Sequence, residues 1–212
     1  AALYDDEIAL SILVQHGADL TSRKHPHEHG VVRVNEPLYG VLSHASTLVT
    51  ALAGHNYSDL ELPSIEISPA AADVRLTCIP SVVEFAVVEA LKNAVYTTME
   101  HHSKGEKEEM PSVLVKVSED ASSLNIDIFD NGPGISPAAA ARAYGFAGAA
   151  STSSMVDEQT SYQPVSSPLR GFHVGIFLLS RFLASTNSGK FSLMNRPDGI
   201  GALARITLRK PL

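Results

Sequence analysis

Cysteine is nearly absent from this sequence, with Cys78 standing alone among 212 residues. One thiol cannot build an internal disulfide framework or a multi-cysteine zinc site. Cys78 sits in the apolar run VRLTCI, which reads as a buried, inert thiol rather than a reactive one. Long apolar runs are missing too: no stretch reaches the about 18 residues that a membrane-spanning helix needs. Basic charge is in short supply, with 16 Lys+Arg against 23 Asp+Glu and a formal net charge of -7. That excludes a polybasic coat for nucleic acid or for a membrane surface. The opening residues AALYDDE are acidic and lack the pattern of a signal or transit peptide, so any targeting segment is expected outside the chain. What is present is a globular composition, 44% hydrophobic and 18% charged. A chain of this length buries about 70% of its unfolded surface and needs no covalent staples.

Helical spacing opens the chain. Residues 3–20 carry Leu3, Ile8, Ile12, Leu13 and His16 on a helical pattern, and residues 23–30 form a polar break. Residues 37–56 place Leu38, Val41, Leu42, Ala45, Leu48, Val49 and Leu52 on one stripe, ending near Gly54 and Asn56. Two such helices alone leave apolar surface uncovered. Residues 1–62 are therefore expected to be a helical segment, part of a bundle whose partners lie elsewhere. After Leu62-Pro63 the pattern changes. Residues 65–67 and 74–79 read as short strands, and 80–103 as a long helix with Ser81 and Glu84 at capping-box spacing. KGEKEE, 104–109, is a solvated turn. Residues 113–117 and 124–129 alternate as paired strands, and 138–144 read as a helix. Residues 145–168 are rich in Gly, Ala, Ser and Thr without a firm pattern, a length typical of functional or mobile loops. A helix over 173–183 and strands over 191–193 and 202–208 close the chain, with a turn at Pro197-Asp198-Gly199. The alternation predicts an α+β fold, a two-layer α/β sandwich over 63–212.

Three local features depart from a plain core pattern. The long helix is apolar almost all round from Val82 to Val95, yet Glu89 and Asn93 interrupt it on one face. A carboxylate there is costly unless a cation or donor meets it. A structural glutamate paired with a neighbouring lysine or arginine and a chemical site both satisfy that condition. Glu84 reads only as a cap. The second feature is DNGPGI, 130–135, directly after an apolar strand. A strand-ending turn explains it. So does a backbone loop kept bare by Gly132 and Gly134 for a ligand, with Asp130 as an acceptor. The third is RGFHVGI, 170–176, opening a helix, where glycines can expose backbone N–H groups to phosphate or serve helix packing.

The order of these features resembles the GHKL superfamily of ATP-binding domains: a helix with E-x-x-K-N, a strand with D-x-G-x-G, a loop, then a Gly-rich helix start. Within it the sequence is most similar to the mitochondrial 2-oxoacid dehydrogenase kinases, which act on pyruvate or branched-chain dehydrogenases. EALKNAVYTTMEHH, 89–102, looks like that family's E-L-F-K-N-A-x-R-A-T-x-E-x-H segment. ILVQHGADL, 12–20, is similar to its L-I-x-Q-H-x-x-L helix, and YSDLELPSIEI and VRLTCIPSVV match in order and spacing. Family members are longer, with more helices before the position of Leu3. The resemblance implies a GHKL (Bergerat) fold at 63–212, an ATP-binding kinase domain, preceded by part of a helical bundle. It implies ATP and Mg²⁺ as cofactors, and a dehydrogenase complex subunit phosphorylated on serine. A mitochondrial matrix location and a homodimer are also implied, with no nucleic acid and no membrane span.

Residue by residue, the resemblance makes Glu89 the base that accepts the substrate hydroxyl proton and Asn93 the Mg²⁺ ligand. Lys92 would offset charge near Glu89, and Asp130 would accept from the adenine amino group. Gly132 and Gly134 would let backbone pass over the nucleotide. Ser151 and Thr152 match the ATP lid. Gly171, Phe172, His173, Val174, Gly175 and Ile176 match the closing Gly-rich segment. Four departures stand out. His173 replaces the central glycine of that segment, and Ala202 replaces the threonine that follows the late G-x-G. Tyr96, counted with the nucleotide contacts, stands where the family has arginine. No tryptophan exists to form the Asp-Trp tail of some members. Two alternatives follow: a histidine-kinase-type ATP-binding domain, or a catalytically degenerate nucleotide-binding or interaction module. The histidines add little. His25, His27 and His29 lie in a solvated HPHEH turn. His16 is either a buried, hydrogen-bonded ring or a contact to the nucleotide domain. His101 and His102 suit a helix C-terminus.

Overall fold

The computed structural model describes residues 28–103, 109–144, 175–186 and 189–210, together with helical positions 11, 13–16 and 18. The loop expected over 145–168, and with it Ser151 and Thr152, lies outside the described residues. So do Gly171, Phe172, His173 and Val174.

Five strands form the main sheet: β3 (Ile65–Ile67), β5 (Val113–Glu119), β6 (Ser123–Phe129), β8 (Ala202–Arg209) and β7 (Gly189–Asn195), in that spatial order. β3 runs parallel to β5, and every other pairing is antiparallel. Alternation puts one row of apolar side chains on the helix-covered face. Val117, Ile126, Ile206 and Phe191 are cross-strand partners in succession, as are Val115, Ile128, Ala204 and Leu193. Helix α2 (Pro80–His102) lies on this face, with α4 (Gly175–Ser185) beside it. The short α3 (Pro137–Ala143) follows β6. The molecule is thus an α+β sandwich, as the alternation predicts.

Helix α1 (Leu38–Asn56) packs against α2 and joins the same core, burying Leu38, Leu42, Ala45, Val49 and Ala53. Its first free donor, Leu38 N–H, reaches the Val74 carbonyl at 3.1 Å. The predicted start at 37 is close, but Pro37 ends a strand. β2 (Val32–Pro37) pairs antiparallel with β1 (Glu28–His29) and β4 (Arg75–Cys78) in a second, three-stranded sheet. The polar break expected over 23–30 is therefore corrected where it is described: residues 28 and 29 are strand. Gly30 turns the chain at φ 65°. A Cβ there would meet the His16 ring, whose Nδ1 accepts from Val31 N–H at 3.3 Å. His16 is thus partly buried and hydrogen-bonded.

The capping box at Ser81 and Glu84 does not form, and Glu84 is not a cap. Ile79 is the N-cap, with no side-chain bond, and Pro80 takes the first helical turn, where its missing N–H costs nothing. That places Ser81 inside the helix. Glu84 instead faces α1, with Oε1 3.0 Å from His44 Nδ1.

Candidate functional site

Ten residues of α2 are buried, so one face of the helix meets the sheet and another meets α1. Between α2, the loop after β6, α3, the start of α4 and the β7–β8 ribbon lies a cavity of about 250 Å³. Six of its lining residues are alanines: Ala90, Ala94, Ala139, Ala143, Ala202 and Ala204. Small side chains on elements that otherwise pack tightly leave the space. Ile135, Ile176, Phe191 and Leu193 supply apolar walls, and Asn93, Thr97 and Asp130 supply the polar side chains. A mostly apolar cleft with a few convergent polar groups is the usual form of a small-molecule site.

Asp130 is 8% exposed. Its Oδ1 accepts from Gly132 N–H and from Ala202 N–H, each at 2.9 Å. Both bonds fall on one oxygen, which leaves Oδ2 without a donor among the described residues. Burial pushes the carboxyl above its usual range; the two backbone donors and the Arg196 charge pull less strongly the other way. Asp130 thus lines the cavity with one carboxylate oxygen fixed by the main chain. Ala202, the position lacking the threonine hydroxyl, touches Asp130 through its backbone N–H.

The loop after β6 is fastened on several sides. Asn131 N–H donates to Thr98 Oγ1 at 3.0 Å, and Asn131 Nδ2 donates to the Ser112 carbonyl at 2.8 Å. His102 Nε2 lies 2.9 Å from the Asn131 carbonyl. Gly132 packs directly on α2, where a Cβ would sit 3.0 Å from Thr97 Cβ. Gly134 turns at φ 79°, and a Cβ there would lie 2.7 Å from Asn195 Oδ1. Asn195 grips the next residue twice: Oδ1 accepts from Ile135 N–H at 2.7 Å, and Nδ2 donates to its carbonyl at 3.0 Å.

On α2, Asn93 Nδ2 donates to the Glu89 carbonyl at 2.9 Å. That bond uses the amide nitrogen and leaves Oδ1, a hard oxygen, uncommitted by it. Lys92 Nζ is 2.7 Å from Glu89 Oε1, and both side chains are nearly buried, at 14% and 15% exposed. The structural pairing and the chemical reading of Glu89 are compatible here, because the lysine holds only Oε1. Oε2 lies against Gly175, where a Cβ would come within 2.2 Å of it. Gly175 opens α4, so the carboxylate abuts a helix N-terminus.

Of the expected site residues, Asn93, Asp130, Gly134 and Ile176 line one cavity. Gly132 backs the loop that bounds it, and Gly175 abuts Glu89. Glu89 and Lys92 pair beside the cavity without lining it, and Tyr96 packs against the core. Sequence reasoning missed Thr97, Thr98, Asn195 and Arg196. The site partners of Thr98, Asn195 and Arg196 are far away in the chain, as with Asn195 and Ile135, 60 residues apart, whereas Thr97 bonds one helical turn back to Asn93. The residues present fit a purine nucleotide: an apolar slot, a free carboxylate oxygen and an amide oxygen converge. Among the described residues no cluster of three His, Cys, Asp or Glu exists. Asn93, on the cavity wall, carries a hard oxygen that would suit Mg²⁺, with phosphates and water completing the shell.

The sequence is similar to [pyruvate dehydrogenase (acetyl-transferring)] kinase 1, mitochondrial, of Saccharomyces cerevisiae. The two are 26% identical over 155 residues, 73% of this chain and 37% of the relative. The match thus spans little more than a third of the relative's length. No family model matches the chain. The chain is related to this kinase family.

Proposed function

We propose that this chain is the nucleotide-binding and phosphoryl-transfer part of an ATP-dependent protein serine kinase of the 2-oxoacid dehydrogenase kinase type. Its acceptor would be a dehydrogenase subunit, its compartment the mitochondrial matrix, and its assembly a homodimer. The observation that carries the reading is the cavity with Asp130 and Asn93 on its walls. Adenine, flat with apolar faces and one exocyclic amino group, suits a slot of alanines and branched side chains with Asp130 on its wall. In this reading Asp130 accepts from that amino group, and Ile176 and Leu193 cover the ring. Asn93 Oδ1 holds the ion, which when bound neutralises the phosphates. Glu89 takes the proton of the acceptor hydroxyl through Oε2, while Lys92 keeps Oε1 in place. Direct transfer then depends on holding the acceptor in line, which is a matter of position and electrostatics.

Calorimetric titration with Mg-ATP tests the binding half, and Glu89→Gln tests the transfer half. The variant is expected to bind Mg-ATP as the parent does and to lose transfer by about 100-fold or more. Unchanged transfer would remove Glu89 from the role of base. No binding at millimolar nucleotide would favour the degenerate interaction module, a reading that Ala202 supports by its missing hydroxyl. An acid-labile phosphohistidine product would favour the histidine-kinase type.

A further inference from the structure

The ribbon joining β7 to β8 reaches across to the loop after β6 through Asn195, which holds Ile135, and through Arg196, which holds Asp130 and Asn131. Arg196 Nη1 donates to the Asp130 carbonyl and to Asn131 Oδ1, both at 3.0 Å. On its other edge, Nε donates to Asp198 Oδ1 at 3.0 Å and Nη2 donates to Asp198 Oδ2. The guanidinium carbon lies 5.6 Å from the Phe129 ring centroid. The turn itself is closed by Arg196 N–H donating to the Gly201 carbonyl at 3.2 Å, and by Gly199 N–H donating to the Arg196 carbonyl at 3.0 Å. A planar fork tied on both edges and laid over a ring has little freedom, and the side chain is 18% exposed.

This matters because the two donors on Asp130 Oδ1 belong to different segments. Gly132 is in the loop and Ala202 is in β8. The Asp130 N–H also donates to the Ala202 carbonyl at 3.0 Å, and Arg196 adds to that tie by fastening the Asp130–Asn131 backbone to the β7–β8 turn. The fit is tight: a Cβ on Gly201 would lie 2.2 Å from the Asp130 carbonyl oxygen. A carboxylate oxygen accepts from the amino group of adenine and repels the carbonyl oxygen that guanine carries at the same edge. Such discrimination needs the acceptor in one place.

We infer that Arg196 is a positioning residue for base selection, locking the Asp130–Asn131 backbone to the β7–β8 turn so that Asp130 separates adenine from guanine nucleotides. The inference rests on the nucleotide-binding reading above. Arg196→Ala and Arg196→Lys in the full chain test it, with Mg-ATP and Mg-GTP titrated by calorimetry and amide hydrogen exchange followed at Gly132 and Ala202. Arg196→Ala is expected to weaken Mg-ATP about 10-fold or more while Mg-GTP changes far less, so that selectivity falls. Exchange at both amides speeds up. Arg196→Lys, with a charge but no fork, restores part of the selectivity, and carries the comparison if the alanine variant does not fold. A lower melting temperature with an unaltered ATP-to-GTP ratio would overturn the inference, and so would unchanged amide exchange. If the parent binds neither nucleotide, the nucleotide reading fails and base selection with it, whereas a selective parent with a selective Arg196→Ala variant sinks the arginine's role alone.

Discussion

Asp130 is a side chain whose burial works against the fold. Its folded carboxyl is raised, chiefly by desolvation. As pH rises from the ordinary carboxylate range, the unfolded chain gives up this proton first, so stability present at low pH is lost on the way up through the folded value. At pH 7 this desolvation opposes folding, and the Gly132 and Ala202 donors and the Arg196 charge offset part of it. Asp130→Asn keeps an oxygen for Gly132 and Ala202 and has no charge to bury. We expect it to melt higher than the parent at pH 7, with the two curves converging as pH falls toward about 4. Mg-ATP binding is lost in the same variant, because an amide donor then faces an amino donor. A variant that melts lower than the parent at pH 7 would show that the carboxylate is a net stabiliser. Gly201 is constrained for a different reason: its φ is 75°, and the Asp130 carbonyl occupies the place of a Cβ. Gly201→Ala should cost about 2–4 kcal/mol in denaturant titration. Cys78 needs no such test of space. It is only partly buried, and that partial burial, reinforced by the Glu36 charge, pushes its thiol up to about 12. Alkylation at pH 8 should therefore be slow in the native protein and rapid once it is unfolded.

Helix α2 serves the core and the site at once, and the two duties separate along its faces. Leu91 is 1% exposed, and Leu91→Ala should cost about 2–5 kcal/mol. Glu84 meets His44 across a wet seam, with 30% and 62% of the side chains exposed, so Glu84→Ala should cost no more than about 0.5 kcal/mol. Urea midpoints of both variants check the contrast; equal losses would mean that the seam is not solvent-like. The same helix shows what a sequence can disclose. An unbroken apolar pattern makes a polar residue conspicuous, so Glu89 and Asn93 were legible, as was Asp130 at the end of an alternating strand. β2 was not legible. Its ladder is broken between Arg33 and Glu36, Asn35 sits at φ 62°, and Pro37 closes it, so no clean alternation survives. Arg196 was illegible for another reason. Its partner Asp130 is 66 residues away, and an arginine before Pro-Asp-Gly reads as an ordinary turn.

At the scale of the whole molecule, the question is whether the cavity can exist without α1. The expected division after residue 62 keeps every cavity-lining residue in the fragment 63–212. It removes Leu38, Val41, Leu42 and Val49, all at most 7% exposed and all within the core that also holds α2. Four such side chains are worth about 6–12 kcal/mol of apolar transfer as an upper estimate. That is comparable with the about 5–15 kcal/mol net stability of an ordinary domain. The face of α2 that α1 covers would also be opened to water, and α2 carries both Asn93 and the Thr98 anchor of the Asp130 loop. We therefore expect the fragment 63–212 to lose cooperative unfolding and Mg-ATP binding together. The full chain, at nucleotide about 100 times its Kd, should gain about 2.7 kcal/mol. Calorimetric scans of both, with and without Mg-ATP, decide the matter. A fragment that melts cooperatively near the full chain's temperature would show that α1 is an accessory to the site rather than part of its foundation.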